Sequence, residues 1–346
     1  MSLAVFRADA SLALGIGHVM RCSVFAQALA EADWRTAFAC NAETIEVHPS
    51  LVSSVHDVVS LKGEGNEAGA LRRRWPQGCD LLVVDHYQLG AEFETATRDW
   101  AGQILAIDDL ADRPHDCDLL LDTALGRKPE AYEDLVPGHC RLLLGPRYAL
   151  LRPQFAASRA GALARRGTAE PVRRILVSLG GTDPADVTMK VLGGIGRSGI
   201  DAEIDVVTVS AANRKSGMDQ VAGQIPQPIR VLHDVTDMAG LMVEADIAVG
   251  AGGSTTWERC CLGLPTVVLT LASNQAVQAK ALTDRGAAIC LGWHEDVEIG
   301  VVADAVRRLG AKAEERHRLS VAAATLCDGE GAGRVVAAIN LSTKTQ

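Results

Sequence analysis

The chain has 346 residues, of which 48% are hydrophobic and 22% are charged, and its formal net charge is −9. This length predicts two domains of ordinary size, and the longest apolar run falls short of the about 18 residues that a membrane-spanning helix needs. The acidic balance disfavours a nucleic-acid partner, because such proteins usually present a basic face. We therefore expect a cytoplasmic protein with a small-molecule partner and with neither a nucleic-acid nor a membrane partner. Its oligomeric state stays open, and a monomer is compatible with the sequence.

The nine cysteines are scattered along the chain without a CxxC pair. This usage is typical of reduced cytosolic thiols, and it disfavours a zinc site or a disulfide framework.

The first half of the sequence alternates short apolar runs with amphipathic stretches. Strands are predicted at Leu3–Arg7, Thr36–Cys40, Val55–Leu61, Asp80–Asp85, Gln103–Asp108, Leu119–Asp122 and Arg141–Leu144, with helices such as Met20–Ala32 and Gly90–Trp100 between them. Such alternation favours a parallel sheet with crossover helices. Several strands end on acidic residues, as in LLVVDHY, ILAIDD and LLLD. These carboxyl ends are where parallel sheets place their ligands.

The turn after the first strand reads LALGIGHVMRC and places Gly15 and Gly17 just before His18. It lacks the third glycine of a dinucleotide site and the Lys-Ser/Thr pair of a P-loop. From spacing alone, His18 could be a catalytic base, a phosphate contact or a structural residue. Arg21, one helical turn further on, could pair with an acidic strand end, contact a substrate or lie exposed on the helix surface.

The segment QFAASRAGALARRGTAE, at 154–170, is rich in Ala and Arg and contains no apolar strand. We interpret it as a short helix and an interdomain linker. After it the alternation restarts, with the apolar runs RRILVSLGG, AEIDVVTV, IRVLHDV, ADIAVGAGG, PTVVLTL and AAICLG. The sequence thus predicts an α/β fold of two Rossmann-like domains facing a cleft. The N-terminal domain would cover 1–157, the linker 158–171 and the C-terminal domain 172–346.

Two glycine turns in the second half follow a strand and open a helix. They are VSLGGTDPAD, with Gly180 and Gly181, and VGAGGSTTWERC, with Gly252 and Gly253. Main-chain N–H groups at such turns can bind an anion, and glycine lets it approach closely. Two turns of this kind indicate a diphosphate. Glu258 could accept hydrogen bonds from vicinal ribose hydroxyls, or it could be a helix-surface carboxylate that the helix dipole stabilises.

Five blocks of the sequence together carry a resemblance to a known family. They are RADASLALGIGHVMRC, VVDHYQL, AIDDLADRPHDCDLLLD, LLGPRYALLRP and GAGGSTTWERCCLGLPTVVLTLASNQ. They resemble the UDP-sugar hydrolases of pseudaminic (nonulosonic) acid biosynthesis, which cleave UDP-2,4-diacetamido-2,4,6-trideoxy-β-L-altropyranose to UDP and the free sugar. The second half is also similar to the nucleotide-binding half of the MurG-like glycosyltransferases. The resemblance therefore implies the GT-B fold and a UDP-sugar substrate.

The resemblance also implies roles for individual residues. His18 would be the catalytic base, with Tyr87 and Asn274 as further catalytic residues. Glu258 would bind the ribose hydroxyls, and the backbone of Val235 would lie beside uracil. The complete set of expected substrate-binding residues is Gly17, Arg21, Gly180, Gly181, Val235, Gly253, Ser254, Thr255, Glu258 and Gln275.

The chemistry of this reaction suits these residue types. UDP is a good leaving group whose growing charge needs main-chain N–H groups rather than a strong acid. Water is a weak nucleophile, and a neutral histidine can activate it. Attack at the anomeric carbon from the side opposite UDP would invert the configuration. Asp85, Asp108 and Asp109 could hold Mg²⁺, but no set of ligands has metal-binding spacing, so we expect neither a metal nor a cofactor.

Three alternatives remain at this point. The chain could be a GT-B glycosyltransferase that passes the sugar to an acceptor, a UDP-sugar 2-epimerase of similar fold, or a non-catalytic UDP-sugar binding module. Two further histidines have open roles. His86 could line the site or be structural, and His115 could support the loop at Asp108 and Asp109.

Overall fold

A computed structural model of the chain describes residues 1–11, 14–47, 51, 57–61, 65–168, 170–180, 187–208, 225–233 and 235–342. It contains two compact units. The first combines Met1–Leu151 with Glu330–Gln346, and the second is Arg152–Gly329. Within the described ranges, no helix is both long enough and apolar enough to cross a membrane.

The first unit is built on one parallel sheet with the strand order β3-β2-β1-β4-β5-β6-β7. Its strands are β1 (Leu3–Ala8), β2 (Arg35–Cys40), β3 (Asp57–Ser60), β4 (Cys79–Asp85), β5 (Ala101–Ile107), β6 (Leu119–Asp122) and β7 (Arg141–Leu144). Its helices up to residue 151 are α1 (Gly17–Glu31), α2 (Ala42–Val47), α3 (Glu67–Arg74) and α4 (Ala91–Thr97), with 3₁₀ turns at Pro129–Tyr132 and Pro146–Tyr148. The predicted strands are confirmed to within two residues wherever the chain is described. Two residues of the predicted third strand, Val55 and His56, lie outside the described residues.

Aromatic packing joins the centre of this sheet to α1. The rings of Phe6 in β1 and Phe38 in β2 stack with centroids 4.9 Å apart, and Phe25 of α1 meets Phe6 edge-on at 5.8 Å. All three side chains are fully buried. Since α1 is held against the sheet in this way, its first turn is fixed beside the carboxyl end of β1.

The second unit repeats the plan with the parallel order β10-β9-β8-β11-β12-β13. Its strands are β8 (Arg174–Ser178), β9 (Glu203–Thr208), β10 (Ile229–His233), β11 (Ile247–Ala251), β12 (Thr266–Thr270) and β13 (Ile289–Trp293). The helices are α5 (Pro153–Arg166), α6 (Val187–Ser198), α7 (Met238–Glu244), α8 (Thr255–Cys261), α9 (Gln275–Asp284), α10 (Ile299–Ala311) and α11 (Ala313–Ala324). Each of the six apolar runs predicted as strands contains one of these strands.

The division between the units differs from the predicted one at both ends of the second unit. A short helix was predicted in the segment at 154–170, and α5 is that helix, but it extends through residues 158–166 of the predicted linker and is part of the second unit. Phe155 of this helix is buried. Arg159 donates to the main-chain carbonyl groups of Cys327 and Ala324 at 3.0 and 2.7 Å. These long-range contacts, rather than an apolar stripe, hold α5 in place.

The last helix, α12 (Gly331–Ser342), belongs to the first unit, although we predicted it in the second. Val335 and Ile339 of α12 are buried in the core formed by β1 and α1. Arg141 of β7 donates to the carbonyl oxygen of Ala338 at 3.4 Å. The chain therefore leaves the first unit after residue 151 and returns to it at residue 330.

Candidate functional site

His18 lies in the first turn of α1, next to the carboxyl ends of the two central strands. The preceding Gly15 has a φ of +77°, which is a conformation that glycine adopts without strain. Asp85 is the last residue of β4 and pairs in register with Ala8 of β1. The Nδ1 atom of His18 lies 2.6 Å from Oδ1 of Asp85. Because an ionised carboxylate only accepts, we assign the ring proton to Nδ1, which leaves the lone pair on Nε2.

Arg21 secures the same carboxylate from α1. Its Nε and Nη2 atoms donate to Oδ2 and Oδ1 of Asp85, each at 2.6 Å, and its Nη1 reaches Oδ2 of Asp109 at 3.3 Å. Burial would raise the pKa of Asp85, but Arg21 and His18 hold it well below its usual range. Asp85 is therefore ionised, and Arg21, expected to bind substrate, is placed by the structure on two carboxylates.

Tyr87 completes this cluster from the loop after β4. Its ring meets the ring of His18 edge-on, with centroids 4.6 Å apart and an interplanar angle of 87°. Burial, together with the nearby charge of Asp109, raises the pKa of Tyr87 to about 12. The phenol is thus neutral over the physiological range. The structure therefore brings His18, Arg21 and Tyr87 together, with Gly17 exposed at the start of the same helix.

His86, which could have lined the site, is fully occupied by structural contacts. Its Nε2 lies 3.2 Å from Oδ2 of Asp9, and its Nδ1 accepts from the main-chain N–H of Gln88 at 3.1 Å. Both ring nitrogens are used, so His86 cannot accept a proton without breaking a contact. Within the described part of the chain, by contrast, no hydrogen bond engages Nε2 of His18.

The acidic ends of β5 and β6 form a separate buried network. The hydroxyl of Tyr132 lies 3.0 Å from Oδ2 of Asp108 and 2.9 Å from Oδ2 of Asp122. The further donors to these two carboxylates are Leu110, Ala111, Arg113, Ala124 and Arg127. Arg127 also donates to the main-chain carbonyl of Asp109 at 2.9 Å. The network thus supports the loop that carries Asp109.

His115 joins this network, as the sequence allowed. Its Nδ1 lies 2.8 Å from Oε1 of Glu94, and its Nε2 lies 3.9 Å from Oδ2 of Asp108. Of the carboxylates considered for Mg²⁺, Asp85 and Asp108 are committed to protein partners, whereas Asp109 has a partner at Oδ2 and none at its buried Oδ1. Among the described residues, no three His, Cys, Asp or Glu side chains are grouped so that they could hold a metal ion.

In the second unit, the two predicted diphosphate turns follow the neighbouring strands β8 and β11, and they begin at equivalent positions along the two strands. Gly250 of β11 pairs in register with Ser178 of β8, so both strands reach their turns two residues later. Gly180 has a φ of +98°, which favours glycine, whereas Gly181 lies outside the described residues. Within the described chain, the main-chain N–H groups of Gly253, Ser254 and Thr255 donate to no protein acceptor.

The start of α9 packs against the second of these turns. A Cβ atom at Gly252 would lie 3.2 Å from Cβ of Gln275. The Oε1 atom of Gln275 accepts from the main-chain N–H of Leu271 at 3.0 Å, and Gln278 donates to the carbonyl of Gly252 at 2.7 Å. Asn274 directly precedes α9. The structure thus brings Gln275 to the turn that holds Gly253, Ser254 and Thr255, and Asn274 is the residue before it.

Glu258 of α8 is paired with an arginine that we had not predicted as a site residue. Its Oε1 atom accepts from Nη2 of Arg152 at 3.2 Å, and its side chain is 14% exposed. Burial raises the pKa of Glu258 despite the opposing charge of Arg152. Arg152 also donates to the carbonyl of Thr236 at 3.5 Å, which connects Glu258 to the segment that begins at Val235. Arg152 lies in the LLGPRYALLRP block that carries the resemblance, but the sequence does not show its pairing with Glu258, which is 106 residues away.

The comparisons with known proteins agree with this architecture. The family model described as "Glycosyltransferase family 28 C-terminal domain" matches residues 175–326. The spore coat polysaccharide biosynthesis protein SpsG of Bacillus subtilis is 33% identical over 204 residues, which are 58% of this chain and 59% of that protein. The match thus spans less than two thirds of that relative.

A second relative matches over more of its length. The UDP-2,4-diacetamido-2,4,6-trideoxy-beta-L-altropyranose hydrolase of Campylobacter jejuni is 27% identical over 285 residues, which are 82% of this chain and 96% of that protein. Among solved structures, MurG of Acinetobacter baumannii superposes with a TM-score of 0.69 at 14% identity, covering 98% of this chain and 99% of that chain. This chain therefore has the GT-B fold, as predicted. The expected cleft between the domains stays a prediction.

Proposed function

We propose that this chain is a UDP-sugar hydrolase that cleaves UDP-2,4-diacetamido-2,4,6-trideoxy-β-L-altropyranose to UDP and the free sugar, a step of nonulosonic acid biosynthesis. The observation that carries the proposal is the buried contact of 2.6 Å between His18 and Asp85. It leaves Nε2 of the imidazole as the proton acceptor beside the carboxyl end of a parallel sheet. The name of the Campylobacter jejuni relative supports the choice of reaction and substrate.

In the proposed reaction, Nε2 of His18 takes one proton from a water molecule as the water oxygen bonds to the anomeric carbon. The bond between that carbon and the phosphate oxygen breaks, and the electron pair leaves with UDP. Asp85 stabilises the imidazolium that forms, as the carboxylate of a catalytic triad does. Attack from the side opposite UDP inverts the configuration. Tyr87 packs against the imidazole and limits its orientations.

The second unit would hold the nucleotide in this proposal. The main-chain N–H groups of Gly180, Gly181, Gly253, Ser254 and Thr255 would stabilise the charge that grows on the diphosphate. Glu258 would bind the ribose hydroxyls through Oε2, since Oε1 already accepts from Arg152. The backbone of Val235 would face uracil, and Asn274 with Gln275 would face the sugar.

A second candidate is a glycosyltransferase with the same UDP-sugar donor, which the match to the family 28 C-terminal domain favours. The two activities differ in the nucleophile, which is a sugar or lipid hydroxyl in the transferase and water in the hydrolase. Everything else in the proposed site would serve both reactions.

The deciding experiment incubates the protein with a panel of UDP-diacetamido-trideoxyhexoses and follows UDP and sugar by NMR. Release of UDP without any acceptor, with the inverted anomer of one sugar appearing first, supports the hydrolase. Release only after an acceptor is added supports the transferase. A UDP-sugar epimerised without UDP release, or bound and left intact, contradicts both.

A further inference from the structure

A buried arginine lies directly beneath the glycine turn that follows β11. Arg259 of α8 is 2% exposed. Its Nη2 donates to the carbonyl of Ala251 at 2.6 Å and to Oγ1 of Thr256 at 3.2 Å, and its Nη1 donates to Oγ1 of Thr255 at 3.2 Å. These contacts tie the last residue of the strand to the first residues of the helix, with the turn between them.

The charge of Arg259 lacks a carboxylate partner in the described part of the chain. No salt bridge reaches the guanidinium there, and its Nε atom has no hydrogen-bond partner. The carboxylate of the preceding residue, Glu258, pairs with Arg152 instead. Burial lowers the pKa of Arg259, yet a guanidinium stays protonated in proteins. Arg259 thus has no carboxylate at salt-bridge distance among the described residues, and the nearest acidic charge that acts on it, that of Glu258, is shared with Arg152. A buried cation that is only partly compensated in this way is costly.

The sequence reserves space for this guanidinium. A Cβ atom at Gly250 would lie 2.5 Å from Nη1 of Arg259 and 2.9 Å from the carbonyl oxygen of Ser178. A side chain at position 250 would thus displace the arginine. Glycine is therefore required at position 250 because the guanidinium of Arg259 fills the space that a Cβ atom would occupy. This differs from the glycines of the turn, which were predicted to let an anion approach.

We propose that Arg259 is a positioning residue for the diphosphate, which holds the turn at 252–255 in shape from beneath and supplies a buried positive charge that the bound anion neutralises. This inference rests on the UDP site of the proposed function. Three main-chain N–H groups of the turn, at Gly253, Ser254 and Thr255, face no protein acceptor among the described residues. They are the groups through which Arg259 would act.

The test compares the affinities for UDP and for uridine by calorimetry, because only UDP carries the diphosphate. In Arg259→Gln, which keeps donors but loses the charge, we expect the UDP affinity to fall by about tenfold to a hundredfold. The uridine affinity should be unchanged. Arg259→Lys keeps a charge but cannot donate from two nitrogens at once, so we expect a severalfold loss that is again confined to UDP. This variant decides the question if Arg259→Gln does not fold.

The second unit offers a matched control in Arg166 of α5. This side chain is 8% exposed, donates to the carbonyls of Ala162 and Met242 at 3.0 and 2.6 Å, and also has an Nε atom without a partner. Burial lowers the pKa of Arg166 to about 10. Arg166→Gln should weaken folding, as Arg259→Gln does, without changing the ratio of UDP to uridine affinity.

Each outcome decides one claim. A variant of Arg259 that folds and keeps the wild-type ratio of the two affinities overturns the inference, as does an equal loss for UDP and uridine. A wild-type protein that binds UDP no better than uridine overturns it as well. If the wild type binds UDP and the Arg259 variants lose that preference, but no UDP-sugar is hydrolysed, then the inference stands and the proposed hydrolysis is wrong.

Discussion

The imidazole of His18 donates to a carboxylate, that of Asp85, whose two oxygens both accept from Arg21 at 2.6 Å. The arginine prevents the carboxylate from rotating away, and the carboxylate prevents the imidazole from turning. One tautomer and one ring orientation are thereby fixed before any substrate arrives. Preorganisation of this kind is what a general base needs, because the proton acceptor must already point at the water when the substrate binds.

Replacing the proposed base tests the mechanism most directly. In His18→Asn, the side chain stays polar but cannot accept a proton at neutral pH, so we expect kcat to fall roughly 10²–10⁴-fold, or about 3–5 kcal/mol of barrier. UDP affinity should barely change. Turnover assays and UDP calorimetry measure the two effects. Near-normal turnover in the variant would show that His18 is not the base.

The position of attack is tested with the wild-type protein in isotopically labelled water. We expect the labelled oxygen on the anomeric carbon of the sugar and not on the phosphate.

Removing the partner of the base should damage both catalysis and folding. Asp85→Asn lets the imidazole carry its proton on Nε2, and we expect kcat to fall about 10²–10⁴-fold, as when a triad carboxylate is replaced. It also leaves the partly buried Arg21 without its main counter-charge at the fully buried position 85, which should cost about 3–5 kcal/mol of unfolding free energy. Asp109→Asn is the matched control, because the contact of Asp109 with the same arginine is longer, at 3.3 Å. It should lower kcat and the free energy of unfolding far less.

The loss of unfolding free energy in Asp85→Asn should be smaller at acid pH than at neutral pH. Since the folded pKa of Asp85 lies well below its usual range, the ionised carboxylate stabilises the folded state at every pH above the unfolded value of about 3.9. This contribution is lost as the pH falls towards the folded value. Urea unfolding of the two proteins should therefore show a difference in unfolding free energy that persists from about pH 8 to pH 5 and is lost only below about pH 4. A gap that closes near neutrality would contradict the assignment.

The contribution of Glu258 to the unfolding free energy should change with pH in the opposite direction. Because burial raises its pKa, the folded state holds the proton more tightly than the unfolded chain, so its contribution favours folding below about pH 4.3 and is lost as the pH rises. Glu258→Gln should thus gain stability relative to the wild type between acid and neutral pH. It should also lose about 1.5–3 kcal/mol of UDP affinity, with a raised KM and little change in kcat. Normal UDP affinity would refute the ribose assignment.

Tyr87 should resist ionisation. With a pKa raised to about 12, it stays a neutral phenol where an exposed tyrosine, at about 10, has ionised. The unfolding free energy should accordingly fall as the pH rises from about 10 to 12. The near-ultraviolet absorbance difference between the wild type and Tyr87→Phe reports this group alone. A tyrosinate signal in that difference near pH 10 would show that the ring is solvated and does not pack against His18.

Chelation should leave the reaction intact. The carboxylates of Asp85 and Asp108 are each committed to an arginine, Arg21 and Arg113. The proposed diphosphate site uses main-chain N–H groups, which need no metal. We therefore expect equal turnover with and without EDTA in the NMR assay. Loss of turnover on chelation, with recovery on adding Mg²⁺, would assign these carboxylates a role that their protein contacts do not explain.

The strands could be predicted from the sequence because both sheets are parallel and buried on two faces, so each strand is a near-continuous apolar run. His18 drew attention because it follows a glycine turn at a strand end, whereas the catalytic role proposed for it comes from the resemblance. Arg152 was missed because its contact with Glu258 joins residues far apart in the chain. The roles of α5 and α12 were missed for a related reason. Arg159 and Ile339 contact segments that are far away in the chain, and a local sequence pattern cannot predict such contacts.

The return of α12 to the first unit has a consequence for synthesis on the ribosome. The second unit, Arg152–Gly329, is a continuous stretch that interrupts the first, so all of its residues emerge before the helix that completes the earlier sheet. Val335 and Ile339 fill the core of that sheet. A nascent chain released before these residues would therefore carry a complete second unit and a first unit with an open apolar face, the kind of surface that chaperones bind.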